Sequence, residues 1–93
     1  MKVVWSPRAI ARASDIAAHI GTDRPEAAAL WVDALFAAVA NLKEHPRRGR
    51  RVPELDRATI REVQHGSYRV IYRLDPPRIV VLTVRHGLRA FAV

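Results

Sequence analysis

The sequence contains no cysteine, which excludes disulfides and thiolate metal sites. A secreted chain this small usually depends on such staples. Lysine is scarce too, confined to Lys2 and Lys43. No stretch approaches about 18 uninterrupted apolar residues, so no segment is expected to span a membrane. The opening residues Met1 to Pro7 lack the apolar run of a secretion signal. The cytoplasm is therefore the expected compartment, with no membrane partner. Also missing are a glycine-rich phosphate loop, an HExxH pair and a GxSxG elbow. His19, His45, His65 and His86 are scattered and have no clustered carboxylates beside them, so no bound metal is expected.

A chain of 93 residues is expected to form one domain spanning 1–93. Such a chain buries roughly 60–68% of its unfolded surface. That supports one modest core and leaves little room for a deep pocket, so neither a cofactor nor a small-molecule substrate is expected. The apolar content is that of a globular protein.

What is present in excess is arginine, and its placement is uneven. Residues 1–46 balance Lys2, Arg8, Arg12, Arg24 and Lys43 against Asp15, Asp23, Glu26, Asp33 and Glu44. Residues 47–93 hold eleven arginines against Glu54, Asp56, Glu62 and Asp75, which accounts for the whole formal charge of +7. Solubility alone explains part of such a bias. An asymmetric basic half also suits a nucleic acid or an acidic protein partner.

Met1 to Trp5 reads as a short strand rich in Val and Trp. Ser6-Pro7 is a helix start, with Ser as cap and Pro in the first turn. Ile10, Ala13, Ala17 and Ile20 then recur at helical spacing, and Gly21 is expected to stop the helix. Asp23 to Glu26 reads as a capping box for a second helix. Ala28, Trp31, Leu35, Val39 and Leu42 form its stripe, and Pro46 and Gly49 end it. So short a link predicts an antiparallel helical hairpin. A basic loop follows, carrying Arg47, Arg48, Arg50 and Arg51. Beyond it the period changes to two. Strands are expected at 58–64, 68–74 and 78–86, joined by turns at His65-Gly66-Ser67 and Asp75-Pro76-Pro77. Such short links force antiparallel pairing. The predicted class is α+β, ordered β-α-α-β-β-β, with the hairpin on one face of an antiparallel sheet.

Alternation then sorts the strand residues. Tyr68, Val70, Tyr72 and Leu74 are expected to meet the helices, as are Val80, Leu82 and Val84. Arg69, Ile71 and Arg73 point the other way, with Ile79, Val81, Thr83 and Arg85. Arg89 joins them if the chain stays extended past Gly87. Arg61 shares a face with Val63, but its register is not fixed by sequence. The outer face is thus expected to carry Arg69, Arg73 and Arg85 over a floor that includes Ile71, Ile79, Val81 and Val63. A mixed apolar and arginine-rich face is typical of a surface that a partner covers.

His86, beside Arg85 and Gly87, is the one histidine placed to act as a general acid or base, although a packing or capping role is the commoner use. RNA cleavage without metal needs a base, an acid and cations for the phosphorane. Arginines supply the cations but carry protons poorly, since their pKa exceeds about 12.

Several segments, taken in order, resemble the RelE/ParE superfamily of toxins from bacterial toxin–antitoxin modules. They are Asp23-Arg24-Pro25-Glu26-Ala27-Ala28, Pro46-Arg47-Arg48-Gly49-Arg50, Val52-Pro53-Glu54, Ile60-Arg61-Glu62-Val63, Tyr68 to Arg73, and Val84 to Arg89. RelE-like members cut messenger RNA on the ribosome, whereas ParE-like members poison DNA gyrase. The resemblance aligns Arg69 and Arg89 with two phosphate-binding arginines of the nucleases. The nucleases' paired lysines fall on Ile60 and Glu62, and their C-terminal tyrosine has no counterpart. A glutamate where a cation should meet phosphate repels the substrate.

The resemblance therefore implies a ParE-like, non-enzymatic gyrase inhibitor with Arg61, Arg69, Arg73, Arg85 and Arg89 as the contact surface. The alternative is a metal-independent, ribosome-dependent endoribonuclease using Arg69, Arg89 and His86. A third reading is a module that only binds its antitoxin. All three imply an antitoxin partner with an acidic, partly disordered tail and a DNA-binding domain.

Overall fold

The computed structural model describes residues 1–87. The elements are β1 (Lys2–Trp5), α1 (Pro7–Asp23), α2 (Pro25–Asn41), β2 (Arg50–Arg51), β3 (Ile60–His65), β4 (Tyr68–Asp75) and β5 (Arg78–His86). They form two helices and one five-stranded sheet of order β1-β5-β4-β3-β2. The α+β class and the helical hairpin on one side of the sheet match expectation. The sheet is mixed, however, because β1 pairs with β5 in parallel. After β1 the chain passes through both helices to the far edge of the sheet, and the antiparallel run β2-β3-β4-β5 then brings β5 back beside β1 in the same direction.

Ser6 caps α1 by accepting from the Ala9 N–H at 3.0 Å, and its hydroxyl donates to the Leu82 carbonyl at 3.0 Å. The cap thereby ties the helix start to β5. Gly21 does not end α1, which runs on to Asp23. A Cβ at Gly21 would stand 3.4 Å from that of Ala28, so the glycine serves the close approach of the two helices. Asp23 is the last residue of α1, and Arg24 is the boundary to α2 without a side-chain cap.

The sheet-facing core gathers Ala9, Ile16, Leu35, Val39, Val70, Val81 and Val84. A second cluster joins Leu42, Tyr72, Leu74 and Ile79. On β5 the expected faces hold from Thr83 to Arg85 and are reversed below Leu82, so Ile79 and Val81 are inside and Val80 is outside. The cause is an irregularity in the β4–β5 ladder: Ile71 pairs with Thr83 but Tyr72 pairs with Val81, leaving Leu82 as an extra residue. One added residue inverts side-chain parity for the rest of the strand. The β3–β4 hairpin turns at Gly66-Ser67 with Gly66 at φ 58°, a conformation glycine adopts without penalty.

Candidate functional site

The register settles which arginines share a side. Glu62 pairs with Ile71, Gln64 with Arg69, and Arg69 with Arg85. Arg69, Arg73 and Arg85 therefore lie on the outer side, as alternation predicts. Arg61 does not join them. It pairs with Tyr72, as Val63 does with Val70, and so belongs to the opposite side. Its guanidinium donates to the Ala58 and Gly49 carbonyls at 3.2 and 2.9 Å. Val63, Ile79 and Val81 likewise leave the expected outer floor for the helix side. Arg89 lies outside the described residues.

The outer side is not open. Arg50 pairs with Glu62 in the β2–β3 ladder, and the chain beyond Arg51 folds back over the sheet. Val52 is fully buried there. Glu54, from the same segment, accepts from Arg69 Nη1 and Nη2, both at 2.8 Å. Glu62 accepts from Arg69 Nε at 3.0 Å and also from Nη2. Arg69 is only 4% exposed and Glu62 3%. Arg50 adds a further contact to Glu62 at 3.3 Å. Two cations and two carboxylates thus form one neutral cluster, buried at Arg69 and Glu62 and open to solvent at Arg50. The hydrogen bonds that Arg69 donates to Glu54 and then to Glu62 raise its pKa further above its ordinary value, against the opposing effect of burial. The expectation of Arg69 as an open phosphate ligand is corrected: all three of its nitrogens are already spent on carboxylates. The reason is the loop, which brings Glu54 across from a distant part of the sequence.

The same loop is fixed on the other side by Tyr72. Its hydroxyl donates to the Pro46 carbonyl at 2.8 Å and accepts from the Gly49 N–H at 3.0 Å. Burial is the main cause that raises the Tyr72 pKa above 10.0. A Cβ on Gly49 would lie 2.6 Å from both the Glu62 carbonyl oxygen and the Tyr72 hydroxyl, so only glycine fits. Arg47, Arg48, Arg50 and Arg51 remain exposed on this anchored loop. Arg73 reaches Asp75 at 3.8 Å and is about half exposed. Arg85 is half-buried, and His86 packs edge-on against Tyr68, with ring centroids 5.6 Å apart. Tyr68 in turn meets Trp31 at 5.5 Å.

The helical hairpin, a candidate antitoxin contact from the sequence, carries a second site. Ile10, Ala13 and Ala17 of α1, Val32, Leu35 and Phe36 of α2, and Trp5 line an open apolar cleft of about 360 Å³ between the helices. Ile10 is 54% and Phe36 53% exposed, and Leu30 is 70% exposed on α2. The signal was in α2 itself, which carries Glu26 and Asp33 as its only charged side chains and is apolar nearly all round. A surface helix of that kind is normally covered.

Strand order and helical hairpin define a RelE/ParE-type toxin fold. The chain overlays the toxin fold in the chromosomal ParDE system of P. aeruginosa with a TM-score of 0.78 at 20% identity, covering 92% of this chain and 95% of that one. It overlays the RelBE2 toxin–antitoxin complex of Mycobacterium tuberculosis with a TM-score of 0.61 at 26% identity, covering 91% and 95%. In sequence it is 35% identical to toxin RelE2 of Caulobacter vibrioides, over 95% of this chain and 97% of that protein. It is 32% identical to toxin Y4kP of Sinorhizobium fredii, over 92% and 88%. Residues 3–91 match the family described as ParE toxin of type II toxin-antitoxin system, parDE. The chain belongs to the ParE toxin family and is the toxin of a type II toxin–antitoxin system.

Proposed function

We propose that this toxin is ParE-like in action: it inhibits DNA gyrase in the cytoplasm without catalysing a reaction, and a cognate antitoxin silences it. One observation supports this over nucleolysis. The arginine aligned with a phosphate ligand of the nucleases, Arg69, is saturated by Glu54 and Glu62. A phosphate would have to displace two carboxylates and enter a site of net zero charge, which removes the electrostatic gain that cations offer a phosphorane. The exposed cations that support contact with a target are Arg47, Arg48 and Arg51 of the loop, with half-exposed Arg73 on the sheet. The apolar cleft between α1 and α2 suits an amphipathic helix from the antitoxin.

The 35% identity to a toxin named RelE2 favours a second reading, a ribosome-dependent endoribonuclease. Two assays of the purified toxin separate them. Under the gyrase reading, supercoiling stops, cleaved DNA accumulates, and message in a cell-free translation reaction stays intact. Message truncated only in the presence of ribosomes, with gyrase unaffected, replaces it with the nuclease reading. Inactivity in both assays leaves a module that binds its antitoxin alone.

A further inference from the structure

The loop that straps the sheet carries charge that the fold does not use. Between Pro46 and Arg57 stand five arginines against Glu54 and Asp56. Glu54 is committed to Arg69, and Arg50 reaches Glu62. Arg47, Arg48, Arg51 and Arg57 are left exposed, with Asp56 as the loop's remaining acid. Arg51 approaches Asp56 only to 3.9 Å, with both side chains in water, so that pair neutralises little. Arg47 and Arg48, with His45 and Pro46, line an open hollow of about 400 Å³ that has no acidic lining residue. The loop is held in shape before any partner arrives. Tyr72 bonds Pro46 and Gly49 through its hydroxyl, and Arg61 donates to the Gly49 carbonyl. A preformed surface loses little conformational freedom on binding.

We propose that residues 46–57 form a sequence-independent grip on the phosphate backbone of duplex DNA, with the hollow beside Arg47 and Arg48 seating one phosphate. This deepens the gyrase reading above and rests on it for the choice of duplex, because an inhibitor of that enzyme meets its target with DNA already bound. The surface itself selects a nucleic acid over an acidic protein. Protein partners anchor on apolar or aromatic side chains at the centre of a contact. Among the described residues the exposed large apolar side chains are Met1, Ile10, Leu30 and Phe36, none of them on the loop, and Val52 is sealed beneath it. A phosphate backbone needs no such anchor. It is held by guanidinium groups that can each give two parallel hydrogen bonds, and those contacts carry no base sequence.

The test titrates the full chain against a fluorescent duplex of about 20 base pairs, by anisotropy across a salt series. Four arginines on phosphates predict a slope of log affinity against log salt of about −3 to −4. Arg47→Gln combined with Arg48→Gln is expected to weaken binding at least tenfold at about 50 mM salt and to flatten the slope by about 2. Arg24→Gln is the control: Arg24 is exposed at the far end of the 17-residue α2, about 25 Å from the loop. It is expected to change affinity less than about twofold, and the unfolding midpoint of every variant stays at the wild-type value. Equal losses from Arg24→Gln and the double variant reflect net charge alone and overturn the grip. Tighter binding of single-stranded RNA of the same length overturns the choice of duplex DNA. A double variant that loses the antitoxin while keeping the duplex gives the loop to an acidic protein and overturns the grip as well. A wild-type chain that blocks supercoiling but binds no duplex overturns the grip and leaves the gyrase reading intact. Duplex binding as expected, with gyrase unaffected, overturns the gyrase reading alone.

Discussion

Arg69 carries more structural consequence than any other charged side chain described here. Its guanidinium holds two carboxylates from different parts of the chain, and Glu62 has almost no access to water. Removing one partner of a buried pair leaves the other charge uncompensated. Arg69→Ala is therefore expected to lower stability by about 3–5 kcal/mol, read by urea denaturation. Arg85→Ala is expected to weaken toxicity, scored as growth inhibition on induction, without unfolding the domain; loss of folding would make it structural. Tyr72 offers a check through pH. Its phenol is neutral when protonated and its folded pKa lies above 10.0, so its contribution is complete below the unfolded value. That contribution fades as pH rises through the folded value. In a Tyr68→Phe background, absorbance titration should show the Tyr72 phenol ionising later than a free tyrosine, with stability falling only on the alkaline side.

Among the elements, the loop between α2 and β3 decides what the sheet presents. Its sequence reads as a basic loop, and several of its arginines are exposed. Its acidic residue Glu54 and its buried Val52 give it a second role as a strap over the outer side of the sheet. Gly49 is where strap and sheet come closest. Gly49→Ala must push a Cβ against the Glu62 backbone and the Tyr72 hydroxyl. The expected cost is about 1–3 kcal/mol with loss of protection across the loop, measured by thermal unfolding and hydrogen exchange. The faces of β3 and β4 were readable because side chains alternate along them without interruption. The parity of β5 was not, since the extra residue at Leu82 has no mark in sequence and exists only relative to β4. The parallel partner of β1 was equally hidden, because two helices and three strands separate β1 from β5 and no turn joins the pair to fix its direction.

At the scale of the whole molecule, the excess of arginine is real but unevenly available. Arg50 and Arg69 are neutralised on the outer side, while Arg47, Arg48, Arg51 and Arg57 stand exposed around the loop. No helix among the described residues is long and apolar enough to cross a membrane. The exposed apolar surface is concentrated instead at the cleft between α1 and α2. A charge set into that cleft should oppose an amphipathic partner without disturbing the core, because Phe36 is more than half exposed. Phe36→Glu is expected to weaken antitoxin binding at least tenfold in calorimetric titration while shifting stability by less than about 1 kcal/mol.

Element order, helical hairpin, antiparallel pairing of the last strands and the uneven charge all follow from local chemistry: caps, turn residues, short links and periodicity. These act over a few residues and are therefore written where they act. Which arginines are free to meet a partner was settled by long-range contacts. Glu54 and Arg69 are fifteen positions apart and meet across a folded strap, and Arg61 changes sides through a register set by its neighbour. Neutralisation depends on distance in space, and distance in space between remote residues exists only once the chain has folded.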